Sequence, residues 1–333
     1  MTAEGARSPA RIDFIAGMAR SGTTWLGRAL AKHPDVAVFG ESSFFGRLYV
    51  PPRADGTYGP AELARVHAIQ REQDWATTTG DDSSCLRNSQ GEEYAALVDA
   101  AFGPLEAPVT PAESFQALAR AIASSERKPC VVEKTPHHVH WMRRIALGFP
   151  EARFVLLTRD PYGFMRSLKH LDDRIESRWR RALERPWRHP AVCAVAWRAY
   201  MLSVERALEQ YRDRVLVVDH RELRQRPEAL LASVQSFLGL AVHDLAPGTL
   251  GQNSSFRRGG KPSLRGQDVF WMNLIAGRVI RRNGYRREPI PFRPLQILAS
   301  FATLPLCAAY VAARAPRRVP GSLRPYLAAW IGR

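Results

Sequence analysis

A glycine-rich stretch near the amino terminus carries residue types that can bind a phosphate group. In GMARSGTTWL, four residues separate Gly17 from Gly22, and hydroxyl side chains surround the second glycine. Backbone N–H groups of such a turn, together with the first turn of a following helix, form an anion site. The two glycines would let the backbone approach the anion closely. Hydroxyl donors would come from Ser21, Thr23 and Thr24.

The same stretch lacks the lysine of nucleotide-hydrolysing loops. In those loops a Lys after the second Gly reaches the β- and γ-phosphates, and a Ser or Thr holds magnesium. Thr23 stands at the lysine position here, and a cationic side chain comes earlier, at Arg20. The nearest strand-ending Asp, Asp219, lies far along the chain. We therefore expect the loop to hold a single phosphate-like group without a metal.

The hydrophobic pattern around the loop predicts the elements that position it. RIDFIAGM predicts a buried strand, a helix should run from about Thr24 to His33, and VAVFG predicts a second strand. The rhythm resumes with the strands CVVE, ARFVLLT and RVLVVDH and with helices between them, one through HHVHWMRRIALGF. This order predicts an α/β fold, a P-loop-type central parallel β-sheet flanked by helices in a single domain with a helical insertion.

Composition changes along the chain suggest its organisation. Residues 1–9 are expected to form a disordered leader, and residues 10–290 the main domain. Within it, residues 42–126 alternate turn-rich segments with amphipathic helices and predict a variable helical insertion, where substrate specificity often resides. Residues 291–333 predict hydrophobic and Arg-rich C-terminal helices.

Charge and cysteine usage limit the classes of partner. Lys and Arg number 48 against 32 Asp and Glu in 333 residues, a formal charge of +16 that favours polyanions or anionic membranes. The basic residues are scattered and no nucleic-acid-binding signature is present, so we expect no nucleic-acid partner. Four widely separated cysteines and the lack of an apolar secretory signal predict reduced thiols and a cytoplasmic protein.

One uncharged segment raises the question of a membrane. Residues 294–313 have Arg on both sides and are long enough to span a bilayer. Gln296, Ser300 and Pro305 weaken that interpretation, and a buried helix or one lying in the interface fits as well. We expect at most a peripheral contact, at the inner face of a membrane.

Five sequence blocks follow one another as motifs do in a known enzyme family. RSGTTWL resembles the 5′-phosphosulfate loop, and RFVLLTRDPYGFMRSL the 3′-phosphate motif, of sulfotransferases that use 3′-phosphoadenosine 5′-phosphosulfate (PAPS). VVEKTP is similar to a segment of Golgi glycan and tyrosylprotein sulfotransferases, RELRQRPEALLASVQSFLGL resembles the helix after the last core strand, and NSSFRRGG resembles the C-terminal nucleotide-binding loop. The resemblance covers roughly residues 10 to 260. It implies metal-independent transfer of a sulfonate from PAPS to a hydroxyl or amine, with 3′-phosphoadenosine 5′-phosphate (PAP) as product.

The resemblance also implies a donor-binding set. Its members are Arg20, Ser21, Gly22, Thr23, Thr24, Trp25, Arg159, Ser167, Phe256, Arg257, Arg258 and Gly259. Arg159 and Ser167 are eight positions apart and would hold the 3′-phosphate, for which a planar guanidinium is well suited. Arg166 would point about 100° away from Ser167 on a helix. The loop 256–259 would close over the same phosphate, with Phe256 on the adenine.

Sulfonate transfer, like phosphoryl transfer, depends on positioning and charge neutralisation. By motif position, Arg20 would stabilise the bridging oxygen and Lys134 would be the second cation. Glu41 matches the Glu that glycan and tyrosylprotein sulfotransferases use as base. Cytosolic small-molecule sulfotransferases use a His directly after their Lys-Thr; Pro136 stands there in this chain, which leaves His137 as the substitute base.

Two alternatives stay open on sequence grounds. A P-loop phosphotransferase or kinase with a degenerate loop would need magnesium and bind ATP, and a non-catalytic basic module would bind any polyanion with a steep salt dependence. The acceptor is also open among small molecules, saccharides and lipid-linked groups, although the hydrophobic C-terminus favours a lipid-linked or saccharide hydroxyl. The sequence makes no prediction of oligomeric state.

Overall fold

A single parallel sheet organises the protein. The computed structural model describes residues 11–72, 87–88, 91–169, 185–245, 263–291 and 293–318. The strands are β1 Arg11–Gly17, β2 Val36–Gly40, β3 Arg87–Asn88, β4 Cys130–Lys134, β5 Phe154–Thr158 and β6 Val215–Asp219. Their order across the sheet is β3-β2-β4-β1-β5-β6, and every pairing is parallel. The predicted α/β fold with a central parallel sheet is confirmed.

Helices cover both faces of the sheet. They are α1 Thr23–Leu30, α2 Pro60–Arg71, α3 Gly91–Phe102, α4 Pro111–Glu126, α5 Met142–Gly148, α6 Pro161–Lys169, α7 Pro190–Gln210, α8 His220–Gln225, α9 Pro227–Phe237, α10 Gly266–Arg282 and α11 Pro294–Arg318. Short 3₁₀ turns occupy Pro136–Trp141, Arg185–Arg188 and Arg212–Arg214. In the predicted insertion, α2, α3, β3 and α4 lie between β2 and β4.

Alternation along the central strand divides the core into two layers. Phe14 packs with Phe115 of α4 and Phe154 of β5, in the larger cluster that also includes residues of α5, α6, α7 and α10. The next residue, Ile15, points to the other face and packs with residues of α1, α8 and α9. Because successive strand side chains alternate, a strand buried on both faces is apolar without interruption, as β1 is from Phe14 to Ala16.

The central position of β1 places the glycine loop in a crevice. β1 pairs with β4 on one side and β5 on the other, while the chain leaves it through α1 toward β2 beyond β4. Ligands of open α/β sheets bind outside the carboxyl ends of the strands at such a point of reversal. Gly17 ends β1 with φ 115°, and a Cβ there would lie 2.3 Å from Leu157 O, so only glycine fits.

Two elements differ from their sequence predictions. The helix predicted from Thr24 to His33 ends at Leu30, because His33 turns inward and its ring binds Ala241 O and Asp35 N. The helix predicted through HHVHWMRRIALGF begins as a 3₁₀ turn, and α5 starts only at Met142. In that turn, His138 and His140 bind Glu133 and Ser203. Tertiary hydrogen bonds override the local helical pattern at both places.

The C-terminal helices pack against α7. Helix α10 packs along α7, and α11 packs against both of them. Within the residues that the structure describes, no helix combines the length and the hydrophobicity that a membrane crossing requires.

Candidate active site

The loop between β1 and α1 forms a backbone turn suited to an anion. Arg20 and Gly22 both adopt left-handed conformations, with φ 68° and 101°, and Gly22 precedes α1 without a side-chain cap. The first helical bond runs from Leu26 N–H to Gly22 O. The N–H groups of the preceding residues therefore point beyond the helix end, where the helix dipole favours negative charge. These residues are Thr23, Thr24 and Trp25.

The hydroxyl residues of this loop differ in burial. Ser21 is fully buried and its Oγ donates to Met18 O at 2.5 Å, so this hydroxyl closes the turn internally. Thr23 is also buried, whereas Thr24 is half-buried. Ser21 would therefore serve an anion through its backbone N–H and not through its side chain.

Two sequence-distant motifs meet beside this turn. Arg159 Nη1 donates to Arg20 O at 2.6 Å, and Arg20 Nε donates to Ser167 Oγ at 3.3 Å. Arg159 Nε is buried and has no hydrogen-bond partner among the described residues. A buried guanidinium N–H without an acceptor is costly, and an anionic oxygen would satisfy it.

Local capping explains why Arg159 stands where it does. β5 ends at Thr158, and the Asp160 carboxylate accepts from Gly163 N–H at 2.6 Å to cap α6. Trp197 Nε1 of α7 donates to Arg159 O at 3.0 Å and fixes the backbone between strand and helix. Helix α6 carries Ser167 toward the loop.

Further cations surround Arg159. Burial lowers the pKa of Arg159, the Asp160 carboxylate opposes that effect, and the positive charges of Arg166 and Arg224 lower it further. Arg166, which was not predicted to bind the phosphate, thus lies close enough for its charge to act on Arg159, the residue predicted to bind it. We call the loop 20–25 with Arg159 and Ser167 the donor half of the cleft.

Across the sheet, the ends of β2 and β4 bring an acid and a base together. Glu41 N–H donates to Lys134 O at 2.7 Å, and Lys134 Nζ donates to Glu41 Oε1 at 2.6 Å. The lysine is buried, whereas half of the Glu41 side chain is exposed to the cleft. Burial acts to raise the pKa of Glu41, but the charge and hydrogen bond of Lys134, with smaller effects from His137 and Arg20, outweigh it and hold the pKa below its ordinary value. Glu41 is therefore a carboxylate at neutral pH.

His137 lies in the same cleft as Glu41. Its Nδ1 is 2.6 Å from Tyr200 Oη, and part of its side chain is open to solvent. Loss of solvation around the imidazole lowers the pKa of His137 to about 4 despite the opposing charge of Glu41, so the ring is neutral at neutral pH. Which nitrogen carries the proton depends on the direction of the Tyr200 hydrogen bond. Both sequence-predicted bases thus lie close together, unprotonated at neutral pH.

A buried polar network supports Glu41 and Lys134 from behind. Glu133 precedes Lys134 in β4 and faces the opposite side, where it is fully buried. Its carboxylate accepts from Ser42 Oγ at 2.8 Å and from Thr135 Oγ1, and it contacts His138 Nδ1 at 2.9 Å. Because Ser42 follows Glu41 and Thr135 follows Lys134, this network ties the two strand ends together. We call Glu41 and Lys134 with this network the acceptor half of the cleft.

Comparison with known families decides the class of protein. The model of a family described as the sulfotransferase family matches residues 14–244, most of the chain. This chain belongs to the sulfotransferase family. The matched range of this sulfotransferase contains every described residue of both halves of the cleft. Comparison with curated proteins gave no match.

Three solved structures similar to this sulfotransferase are bacterial proteins. A sulfotransferase from Alicyclobacillus acidocaldarius is 19% identical, with 84% of this chain and 97% of that chain covered and a TM-score of 0.45. The sulfotransferase domain of the Synechococcus PCC 7002 olefin synthase is 19% identical, with 90% and 97% covered and a TM-score of 0.44. A sulfotransferase from Mycobacterium avium is 15% identical, with 92% and 77% covered and a TM-score of 0.44.

Some residues of the sulfotransferase cleft were not named from sequence. Arg224 lies in α8, directly after β6, and Tyr200 lies in α7. The rule that carboxyl ends of parallel strands share one edge would have drawn attention to Arg224, since it lies in the short helix that follows the end of β6. Nothing in the sequence marks Tyr200, whose contact with His137 depends on how α7 crosses the sheet.

Two remaining predictions concern the loop 256–259 and a metal. The predicted nucleotide-binding residues Phe256, Arg257, Arg258 and Gly259 lie outside the described residues. Among the residues that are described, no group of three or more His, Cys, Asp or Glu side chains is placed to hold a metal ion.

Proposed function

We propose that this sulfotransferase transfers the sulfonate of PAPS to an acceptor hydroxyl, or to an amine, without a metal. The observation that carries the proposal is the junction of the two donor motifs, where Arg159 contacts the turn of the glycine loop and Arg20 contacts Ser167. A nucleotide with a phosphate at each end of its ribose would engage both motifs at once.

The chemistry of the donor half fits such a nucleotide. The turn and the start of α1 present backbone N–H groups and a positive helix end to a 5′-phosphosulfate. Arg159 has a buried N–H without a partner among the described residues, which a 3′-phosphate would satisfy together with Ser167. Arg166 and Arg224 add positive charge at that end. Thr23 at the lysine position suits a donor that has no β- or γ-phosphate.

In the proposed reaction, the acceptor oxygen forms a bond to sulfur, the bond from sulfur to the bridging phosphate oxygen breaks, and PAP leaves. Glu41 is placed to accept the acceptor's proton, since its carboxylate is ionised and opens to the cleft. Arg20 and Lys134 would neutralise charge that develops on the leaving phosphate. The contact of Lys134 with Glu41 also keeps the carboxylate ionised until the acceptor arrives.

Glu41 is our proposed base and His137 the substitute. If Tyr200 donates to His137 Nδ1, the imidazole proton lies on Nε2 and that nitrogen cannot accept a proton. The carboxylate of Glu41 carries no such condition. The acceptor would be a small molecule, a saccharide or a lipid-linked group, and a lipid-linked or saccharide hydroxyl is the class we favour.

The test begins with nucleotide binding to the purified full chain. PAP at about 100 times its dissociation constant should stabilise the protein by about 2.7 kcal/mol in a thermal-shift assay, with or without EDTA. The Arg159→Ala variant should lose this shift, while Arg278→Ala, a change at an exposed arginine of α10, should keep it. Stabilisation by ATP and magnesium but not by PAP would favour a phosphotransferase instead. Binding of any polyanion with no nucleotide preference would favour a non-catalytic basic module.

Transfer itself requires a second measurement. Incubation of the enzyme with ³⁵S-labelled PAPS and fractionated saccharide and lipid extracts should yield a labelled product in one fraction. The Glu41→Gln variant should bind PAP normally but form product about 10²–10⁴-fold more slowly. Product formation at the normal rate by this variant would contradict the assignment of Glu41 as base but would not contradict the assignment of PAPS as donor.

A further inference from the structure

Helix α11 is apolar on two opposite faces. One face contacts the protein through Ile297, Ser300, Leu304 and Cys307, all at least half-buried. The opposite face carries an apolar stripe whose residues follow helical spacing and are all exposed: Leu295, Leu298, Ala302, Leu306 and Ala309. The three leucines are 80%, 63% and 75% exposed.

The contacts of the first face fix the helix side-on against the body. Trp271 Nε1 of α10 donates to Ser300 Oγ at 2.8 Å, and His189 Nε2 is 2.9 Å from Ser300 O. The ring of Phe301 lies 4.6 Å from that of Trp271. The apolar stripe is therefore held outward and cannot turn into the core without breaking these bonds.

The outer face of α11 is apolar as well as the face that packs on the protein, and an outer face of this kind is suited to an apolar environment. Single exposed leucines are ordinary, but a continuous apolar stripe on a surface marks an interaction site. From Pro294 to Ala313 the helix has no charged residue, a length of about 30 Å. Whatever covers the apolar stripe must therefore be apolar along that length.

The charges around the apolar stripe indicate which kind of partner covers it. No Asp or Glu occurs after Glu288, while Arg293 precedes the helix and Arg314, Arg317 and Arg318 end it. Arg286 and Arg287, just upstream, are exposed. A second copy of this chain would set these positive ends against like charges. An anionic lipid surface offers apolar acyl chains flanked by negative headgroups, the complement of both features.

We infer that α11 lies flat on an anionic membrane surface, with the apolar stripe at the boundary of headgroups and acyl chains. This inference does not depend on the proposed donor or base. Helix α10, which holds α11, also joins α6 through the ion pair of Asp268 with Lys169. Because α6 carries Ser167, the docked face is connected to the donor half of the cleft.

The test uses the full chain and vesicles of phosphatidylcholine with or without phosphatidylglycerol. Cosedimentation should show binding to the anionic vesicles, and part of that binding should survive high salt because acyl-chain contacts are not screened. The variant Leu295→Ser/Leu298→Ser/Leu306→Ser should reduce vesicle binding by at least about tenfold. Leu147→Ser, a matched change at a 73% exposed leucine of α5, should leave it unchanged.

Three outcomes would overturn the inference. Unchanged vesicle binding by the triple variant would show attraction by net charge alone. A dimer in sedimentation velocity that the triple variant dissociates, with no preference for vesicles, would make a second copy the occupant. A large fall in melting temperature for the triple variant but not for Leu147→Ser would show that the stripe is covered within the chain.

Discussion

The two halves of the cleft differ in how their charges are arranged. The donor half gathers guanidinium groups around a backbone turn, and burial, with smaller contributions from the charges of Arg166 and Arg224, lowers the pKa of Arg159. The acceptor half pairs its cation with a carboxylate, Lys134 with Glu41 at 2.6 Å. The buried carboxylate of Glu133 supports that pair, because it accepts hydrogen bonds from the hydroxyls of Ser42 and Thr135, the residues that follow Glu41 and Lys134.

This difference indicates what each half needs from a ligand. The donor half concentrates positive charge, so an arriving anion relieves repulsion and supplies an acceptor for Arg159 Nε. The acceptor half is already balanced and needs only a proton donor within reach of Glu41. We expect a bound nucleotide to stabilise the donor half more than the acceptor half. Substitutions in the acceptor half should lower turnover and leave nucleotide binding unchanged.

Removal of the Glu41 carboxylate should have the largest effect on turnover. Glu41→Gln keeps the shape and loses the base, and we expect kcat to fall by about 10²–10⁴-fold. His137→Ala should cost less than tenfold, since the ring would only line the cleft. Rates measured with saturating PAPS check both. A reversal of the two effects would transfer the role of base to His137.

The pH profile sharpens this prediction. A base must be unprotonated, so kcat/KM should fall as pH drops through the pKa of Glu41, below its ordinary value of about 4.3. His137, with a pKa of about 4, would give an acid limb in the same range, so only the variants separate the two. An acid limb between pH 6 and 7, roughly the ordinary range of histidine, would contradict both assignments.

Removal of the buried guanidinium tests the donor half. Arg159→Ala should lower kcat/KM for the donor by about 10²–10³-fold, because it removes a positioned charge-assisted contact. Arg159→Lys should recover only part of the loss, since an ammonium lacks the planar donor pair. Arg166→Ala is the matched control and should cost only a few-fold, as a nearby charge without that contact. Equal losses for the two alanine variants would mean that charge alone matters there.

The end of β1, which leads into the donor half, should tolerate no side chain at Gly17. Gly17→Ala combines a φ of 115° with a Cβ 2.3 Å from Leu157 O, so we expect a loss of about 3 kcal/mol or more in the free energy of unfolding. Gly56 also has a positive φ but open space around its Cβ, and Gly56→Ala should cost about 1 kcal/mol. Urea unfolding measures both. Equal costs would show that φ alone, and not the contact with β5, requires glycine.

A change in the buried hydrogen-bond network of the acceptor half should give the smallest effect. Ser42→Ala removes one hydrogen bond to buried Glu133, and we expect a loss of about 1–2 kcal/mol in stability with up to about tenfold in kcat. Ser233→Ala on α9, whose Oγ donates to Ala229 O at an exposed position, should be nearly neutral. Normal PAP binding by Ser42→Ala would localise the defect to the acceptor half. Weakened PAP binding would mean that the two halves are not independent.

Much of the fold could be predicted from the sequence because its signals are local. Apolar runs marked β1, β2, β4, β5 and β6, and a glycine turn after the first of them marked the loop. Predictions failed where distant partners decided the conformation. α1 ends at Leu30 because His33 binds Ala241 O, and the 3₁₀ turn before α5 follows from histidines that bind Glu133 and Ser203.

For the candidate site, motif order named residues but could not place them. Arg20, Arg159 and Ser167 stand far apart in the chain, and their contacts arise only because β1 and β5 are neighbours in the sheet. The exclusion of Arg166 rested on helical rotation alone. The long side chain of Arg166 on α6 still lies close enough to Arg159 for its charge to matter.

The sequence by itself determined the strand pattern, the lysine-free phosphate turn and the set of charged residues at the strand ends, since these depend on residue type and short spacing. Only the tertiary structure decided that Lys134 pairs with Glu41 and not with Glu133, because neighbouring residues of a strand point to opposite faces and their partners come from other strands. It also decided which side of α11 is exposed, since both sides are apolar and only the contacts of Ser300 choose between them.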